Sequence, residues 1–136
     1  MITINYFAVL VAAVVNFALG ALWYSPVLFG KQWIRLMGLT PEKMESQKKG
    51  MAWRYGTMFA SSLVMAYVLA HFAGVWNAAD IMGAFNLAFW TWLGFIATVG
   101  IGSILWEGKS VQLYAINMGF YLASLFLMAL ILVFWK

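Results

Sequence analysis

The side chains able to do chemistry in this sequence are few and scattered. His71 is the only histidine, the acids are Glu42, Glu45, Asp80 and Glu107, and there is no cysteine. A lone imidazole cannot enclose a metal ion, and no Asp, Glu or His stands at ligand spacing to help it. The lack of cysteine removes thiol catalysis, thiolate metal sites and disulfides. No Ser/His/Asp set, carboxylate pair, glycine-rich phosphate loop or zinc-protease motif is present. No catalytic or metal-binding residue is therefore expected, no cofactor is implied, and the chain reads as a non-enzyme.

The polar residues inside apolar stretches carry more information. Asn16, Asn86 and Asn117 each place an amide where hydrocarbon is expected, and an amide there needs a partner. One reading gives each a hydrogen bond to a neighbouring helix. The other joins Asn16, Asn86, Trp90, Asn117 and Tyr121 as the lining of a small polar pocket, with Asn117 and Tyr121 sharing a helix face at spacing four. His71, beside Phe72 and Trp76, reads as an interfacial histidine or as a proton-sensing or headgroup-contacting one. Glu107 reads as a solvated turn residue paired with Lys109, or as a gate at a membrane mouth. No charge falls at mid-span, where it would cost at least about 2.5 kcal/mol. That argues against an ion-driven pump.

The elements that must carry these residues follow from composition. The chain is 65% hydrophobic and 9% charged, against about 25% charged in a soluble domain. Runs near the 20 apolar residues that a spanning helix needs occupy about 4–24, 51–74, 82–105 and 111–135. The expected fold is all-α: an integral membrane four-helix bundle forming a single domain over 1–136. Six of the eight basic residues lie between Lys31 and Arg54. Segment 25–50 is expected to hold a short interfacial helix over 26–37, started by Ser25-Pro26, with Phe29, Trp33, Leu36 and Met37 toward lipid and Lys31 and Arg35 toward water. Trp23, Tyr24, Lys31, Trp33 and Arg35 are the expected headgroup contacts. Gly38 should stop that helix. Thr40-Pro41 should start another that runs directly into the second span.

Orientation follows from the basic residues. A cytoplasmic 25–50 loop leaves only Lys136 of the eight outside, so both termini are expected outside a bacterial inner membrane. A cleaved signal peptide over 1–24 is disfavoured, because no basic residue precedes the apolar run.

Three rows at spacing four mark candidate packing ridges: Ala8, Ala12, Asn16, Gly20 and Tyr24; Ser62, Ala66, Ala70 and Gly74; and Asn86, Trp90, Gly94, Thr98, Gly102 and Trp106. Ala60-Ser61…Met65-Ala66…Leu69 is echoed by Ala123-Ser124…Met128-Ala129…Leu132, which would fit two tandem helical hairpins.

Several strings resemble the bacterial domain-of-unknown-function family numbered 1761. They are Asn5-Tyr6-Phe7-Ala8-Val9, then Gly20-Ala21-Leu22-Trp23-Tyr24-Ser25-Pro26 with Leu28-Phe29-Gly30-Lys31, then Leu69-Ala70-His71-Phe72 and Trp92-Leu93-Gly94-Phe95. Leu105-Trp106-Glu107-Gly108-Lys109 and Ile116-Asn117-Met118-Gly119-Phe120-Tyr121 complete the set. The resemblance covers nearly the whole chain, and its most specific part is Trp-Tyr-Ser-Pro…Leu-Phe-Gly-Lys. It implies a small four-span membrane protein and transfers no activity. It raises interest in Trp23, Tyr24, Ser25, Pro26, Gly30, Lys31, His71, Glu107 and Asn117.

Two functions compete. The first is a homo-oligomer that binds or passes a small polar or amphipathic molecule, as a transporter or channel would. The second is a structural or accessory protein whose basic 26–50 segment contacts anionic lipid or a cytoplasmic partner. Membrane lipid is an expected partner in both, and nucleic acid in neither.

Overall fold

A computed structural model describes residues 2–136, and no strand occurs among them. Asn5 opens the first helix, its Oδ1 accepting from the backbone N–H groups of Phe7 and Ala8 at 3.1 Å each, which satisfies donors that a helix start leaves free. Helix α1 runs Tyr6–Trp23. Two short helices follow, α2 over Gly30–Met37 and α3 over Pro41–Gln47, then the long α4 over Met51–Trp76. The third span, Ile81–Leu105, is broken into α5 (Ile81–Trp92), a π-helical turn (Leu93–Ala97), α6 (Thr98–Gly100) and α7 (Gly102–Leu105). Helix α8 covers Val111–Phe134. Four helices are thus long and apolar enough to cross a membrane, as expected of a four-helix bundle.

Helix α8 is the hub, packing against α1, α4 and α5. Half of its most apolar stretch is buried, against 28%, 22% and 17% for the other three spans. The first two ladders face inward: Ala8, Ala12 and Ala66 are wholly buried, and Gly20 lies against the Phe120 ring. The third row is a correction. Trp90 and Trp106 are exposed, and nothing lies within 4 Å of where a Gly94 side chain would start. The inward face of α5 is instead Ala84, Leu87 and Ala88. Both faces of that helix are apolar, so spacing alone picked the wrong one. The pairs α1/α4 and α5/α8 pack as hairpins, but the seams between pairs differ. Helix α1 lies along α8, whereas α4 meets α5 only sparsely.

The chain leaves α1 by a tight corner. Phe29 N–H donates to the Trp23 carbonyl at 3.0 Å and Gly30 N–H to the Ser25 carbonyl at 2.9 Å. Ser25 does not cap a helix at Pro26: its hydroxyl donates back to the Leu22 carbonyl at 2.6 Å. The interfacial helix therefore starts at Gly30, not at Pro26. Phe29 and Trp33 do not face lipid alone, since they pack against Trp23 (tilted) and Tyr24 (edge-on) with ring centroids 4.9 and 5.6 Å apart. Gly38 stops α2 in the left-handed conformation at φ 69°, and Thr40 caps α3 with Pro41 in its first turn. Helix α3 does not run into the second span. Lys48–Gly50 interrupt it, and Gly50 adopts φ 76°, a conformation glycine reaches without steric cost. Asp80 caps α5 through Gly83 N–H at 2.7 Å, and Ser110 caps α8 through Leu113 N–H at 3.0 Å.

The corner yields a stability prediction. A Cβ on Gly30 would sit 2.5 Å from the Tyr24 carbonyl oxygen and 2.7 Å from Ser25 backbone atoms, with no flexible group to give way. Gly30→Ala should destabilise the protein by about 1–3 kcal/mol, whereas Gly56→Ala, which meets nothing within 4 Å, should be neutral or slightly stabilising. Reversible unfolding in mixed micelles measures both.

Candidate functional site

The polar groups of the spans form three clusters, each stitching helices to α8. The deepest is centred on Asn16, about 15 Å along α1 from its first residue at 1.5 Å per residue. The Asn16 amide Nδ2 donates to Ser62 Oγ at 2.8 Å, and Ser124 Oγ donates to Asn16 Oδ1. All three residues are buried. One side chain therefore ties α1, α4 and α8 together in the middle of the bundle. Asn16 and Ser62 stood in the ladders, and Ser124 in the internal echo. The echo paired Ser124 with Ser61, but Ser62 is the buried partner, so the repeat is out of register by one residue at this point.

The second cluster lies at the corner end. Trp23 Nε1 donates to the Ile116 carbonyl at 3.1 Å, and the Tyr24 hydroxyl donates to Asn117 Oδ1 at 2.8 Å. Phe120 packs against both rings, with centroids 6.2 and 5.5 Å away, and against Tyr121 at 5.4 Å. The polar ends of Trp23 and Tyr24 are thus engaged by α8, while Lys31 and Arg35 are exposed on α2 and Trp33 is half-buried beside Tyr24. The Trp-Tyr-Ser-Pro…Phe-Gly string is in this structure a corner with its fastenings: two donors for α8, a turn, and a glycine where no side chain fits.

The third cluster joins the third span to α8. Trp92 Nε1 donates to the Met118 carbonyl at 2.8 Å, and the Tyr114 hydroxyl donates to the Ala97 carbonyl at 2.6 Å. Ala97 ends the π-helical turn, where a wider ring changes which carbonyls the helix itself uses. Residues 116 and 118 of α8 so receive indole donors from two different spans. Sequence reading passed over Trp92 and Tyr114. The signal was available: an indole N–H or phenol in hydrocarbon needs an acceptor, and both sit within apolar runs.

The remaining candidates are dispersed. Asn86 is half-buried on α5 and Trp90 exposed. None of the cavities described below is lined by Asn16, Asn86, Trp90, Asn117 or Tyr121. His71 is half-buried at the opposite end of the bundle from the corner, edge-on to Tyr67 at 4.8 Å. Glu107 is exposed. It does not pair with Lys109, since Lys48–Glu45 at 3.1 Å is the one ion pair among the described residues. Gly108 adopts φ 69° in that turn.

Space opens in at least three places among the described residues. Residues of α4 (Thr57, Ala60, Ser61, Val64, Val68, Phe72 among them) face Thr91, Phe95 and Ile96 of the third span across a lateral groove of about 690 Å³. It lies where α4 and α5 splay. Its two threonines are satisfied internally, Thr57 Oγ1 donating to the Trp53 carbonyl at 2.8 Å and Thr91 Oγ1 to the Leu87 carbonyl at 2.7 Å. The groove therefore presents an almost wholly apolar wall. A cavity of about 400 Å³ sits between the two chain ends, beside Asn5, Asn77 and Lys136. Its cation is engaged: Lys136 Nζ donates to the Ala78 carbonyl at 2.9 Å beyond the end of α4. A shallow surface hollow of about 830 Å³ lies along α3.

A sequence family described as "Protein of unknown function (DUF1761)" matches residues 7–133. No curated protein and no solved structure matches the chain.

The Asn16 cluster supplies the test of the structural reading. Interhelical hydrogen bonds in membranes are worth about 0.6 kcal/mol on average and up to about 1.7 kcal/mol. Asn16→Ala, which removes two, should cost about 1–3 kcal/mol, and Ser124→Ala about half that. The double variant should cost no more than Asn16→Ala alone, because the two changes remove a shared bond. Unfolding equilibria of the four proteins in one micelle composition measure the cycle.

Proposed function

Starting from the chain's membership of the DUF1761 family, a group whose description assigns no activity, we propose that this multi-pass membrane protein binds an amphipathic molecule laterally, from within the bilayer. The observation that carries this reading is the groove between α4 and the third span, open to lipid and apolar along its length. The intramembrane polar groups are less available. Asn16, Ser62, Ser124, Trp23, Trp92 and Tyr114 all bond within the bundle, so a polar molecule crossing between the four helices would have to break those bonds. Binding along a seam needs no such opening.

The protein sits in a bacterial inner membrane with the 25–50 segment inside and both termini outside, which keeps seven of eight basic residues on the cytoplasmic side. It self-associates through the outward row Trp90, Gly94 and Thr98, because a small residue on a lipid-facing ridge allows close approach of a second backbone. A second reading, a protein that docks on anionic lipid or a cytoplasmic partner, is favoured by exposed Lys31 and Arg35 on α2 and by the Thr40–Gly50 stretch, exposed at every residue, with Lys43, Lys48 and Lys49.

Binding of a single-chain amphiphile to the purified protein separates these readings. Ala60→Phe, at an exposed groove-lining position, should lower affinity at least tenfold, while Asn86→Ala and Asn117→Ala should leave it within twofold. Loss in the asparagine variants with Ala60→Phe unaffected would contradict lateral binding and restore the polar pocket. Orientation has its own readout, since the chain has no cysteine. An impermeant maleimide should label Ala79→Cys in intact cells and Lys43→Cys only after permeabilisation; the reverse pattern inverts the topology.

A further inference from the structure

We propose that the occupant of the groove is an acyl chain of an anionic phospholipid whose phosphate is met by Arg54. This rests on the lateral-binding reading and names its ligand. The α4 wall of the groove is one helical stripe, with Thr57, Ala60, Ser61, Val64, Met65, Val68 and Phe72 recurring at spacings of three and four. Residues at such spacings share a face. Continued one turn toward the basic end, the same stripe passes through Arg54 and Trp53, three and four residues before Thr57. One turn beyond the residues that line the trough, its stripe thus carries a guanidinium and an indole that is 71% exposed, the side chains suited to a headgroup and to the interface beside it.

Arg54 is held in place there. Its Nη1 donates to the Gln47 carbonyl at 2.8 Å, which fixes the side chain against the end of α3. Five N–H donors on a guanidinium leave others for a phosphate, which arginine meets in a forked geometry. Lys48 and Lys49 lie nearby in the chain. The acids at this end are Glu42, Glu45, which is joined to Lys48, and Glu107, against Lys31, Arg35, Lys43, Lys48, Lys49, Arg54 and Lys109; Asp80 caps α5 at the far end. The local field is therefore positive, which selects an anionic head over a zwitterionic one.

The groove fits a chain better than a helix. From Thr57 to Phe72 it follows about 22 Å of helix at 1.5 Å per residue, more than the roughly 15 Å of one hydrocarbon leaflet. A chain whose head is held at Arg54 would thus lie against protein throughout its leaflet. Helices that pack closely in membranes bring small residues together; here only the Arg54 end is small, with Thr57, Ala60 and Ser61, while Met65, Phe72 and Phe95 make the rest bulky, which suits a flexible chain.

The test is native mass spectrometry of the full chain, stripped of lipid and re-exposed to phosphatidylglycerol and phosphatidylcholine with identical chains. Wild type should retain the anionic lipid preferentially. Arg54→Gln should lower that preference about fivefold, the effect of one basic residue near an anionic headgroup, while Arg35→Gln should leave it unchanged. Ala60→Phe should remove retention of both lipids. Equal retention of the two lipids by wild type, with Ala60→Phe still abolishing both, overturns the anionic assignment and spares lateral binding. A preference lost in Arg35→Gln but kept in Arg54→Gln moves the headgroup elsewhere and also overturns it. Retention untouched by Ala60→Phe overturns both readings, as does an Ala60→Phe that changes only the oligomeric mass, which would put a second copy in the groove.

Discussion

Hydrocarbon offers no hydrogen-bond partner, so every polar group placed at depth in this chain must find one within the protein. Asn16 answers that demand by taking one serine from each of two other helices. Trp23, Trp92 and Tyr114 answer it with backbone carbonyls, and all three bonds join α1 or the third span to α8. Hydrophobic burial cannot hold such a bundle together, because lipid tails are as apolar as leucine. Small-residue packing along Ala8, Ala12 and Ala66 brings the backbones close, and the polar contacts then fix which helix meets which and in what register. The central position of α8 follows from carrying most of the partners.

The same economy explains what is left open. With α1, α4 and α8 tied at mid-depth, and the third span tied to α8 from Trp92 to Tyr114, nothing polar draws α4 against α5. That seam stays splayed, and its surfaces remain available to the bilayer. The corner at residues 23–30 serves the tied side: it turns the chain back so that Phe29 and Trp33 cover the aromatic contacts of Trp23 and Tyr24. Its glycine and serine thus have a steric and hydrogen-bonding reason to be there.

Spans, caps and stops were legible in the sequence because they depend on local chemistry. Thr40 caps and Gly38 stops for reasons contained in a few neighbouring residues; Asn5, Asp80 and Ser110 cap for equally local reasons but were not assigned from the sequence. Helix faces were legible only where alternatives differed in size. In α1 the row Ala8, Ala12, Asn16, Gly20 has no small-residue rival. In the third span the row through Gly94 and Thr98 competes with Ala84 and Ala88, and a π-helical turn shifts the phase between them, so the outward face was chosen. The 26–37 helix was misplaced because Ser25-Pro26 reads as a cap from sequence, whereas the tertiary demand of reaching α8 makes it a turn. The groove left no sequence signal at all, because lipid-facing and core-facing positions carry the same residue types. Arg54 was counted for topology alone, since its relation to the stripe on α4 appears only once the groove is known.

The account stands on the polar side chains being fastenings of the bundle and on the α4–third-span seam being the surface that receives a ligand. An experimental structure determined in a native-lipid nanodisc tests both at once. The account predicts elongated non-protein density along Thr57 to Phe72 that thickens beside Arg54, with Asn16 still bridging Ser62 and Ser124. An empty seam, together with density or ordered water lying between Asn16, Asn86 and Asn117, would contradict it.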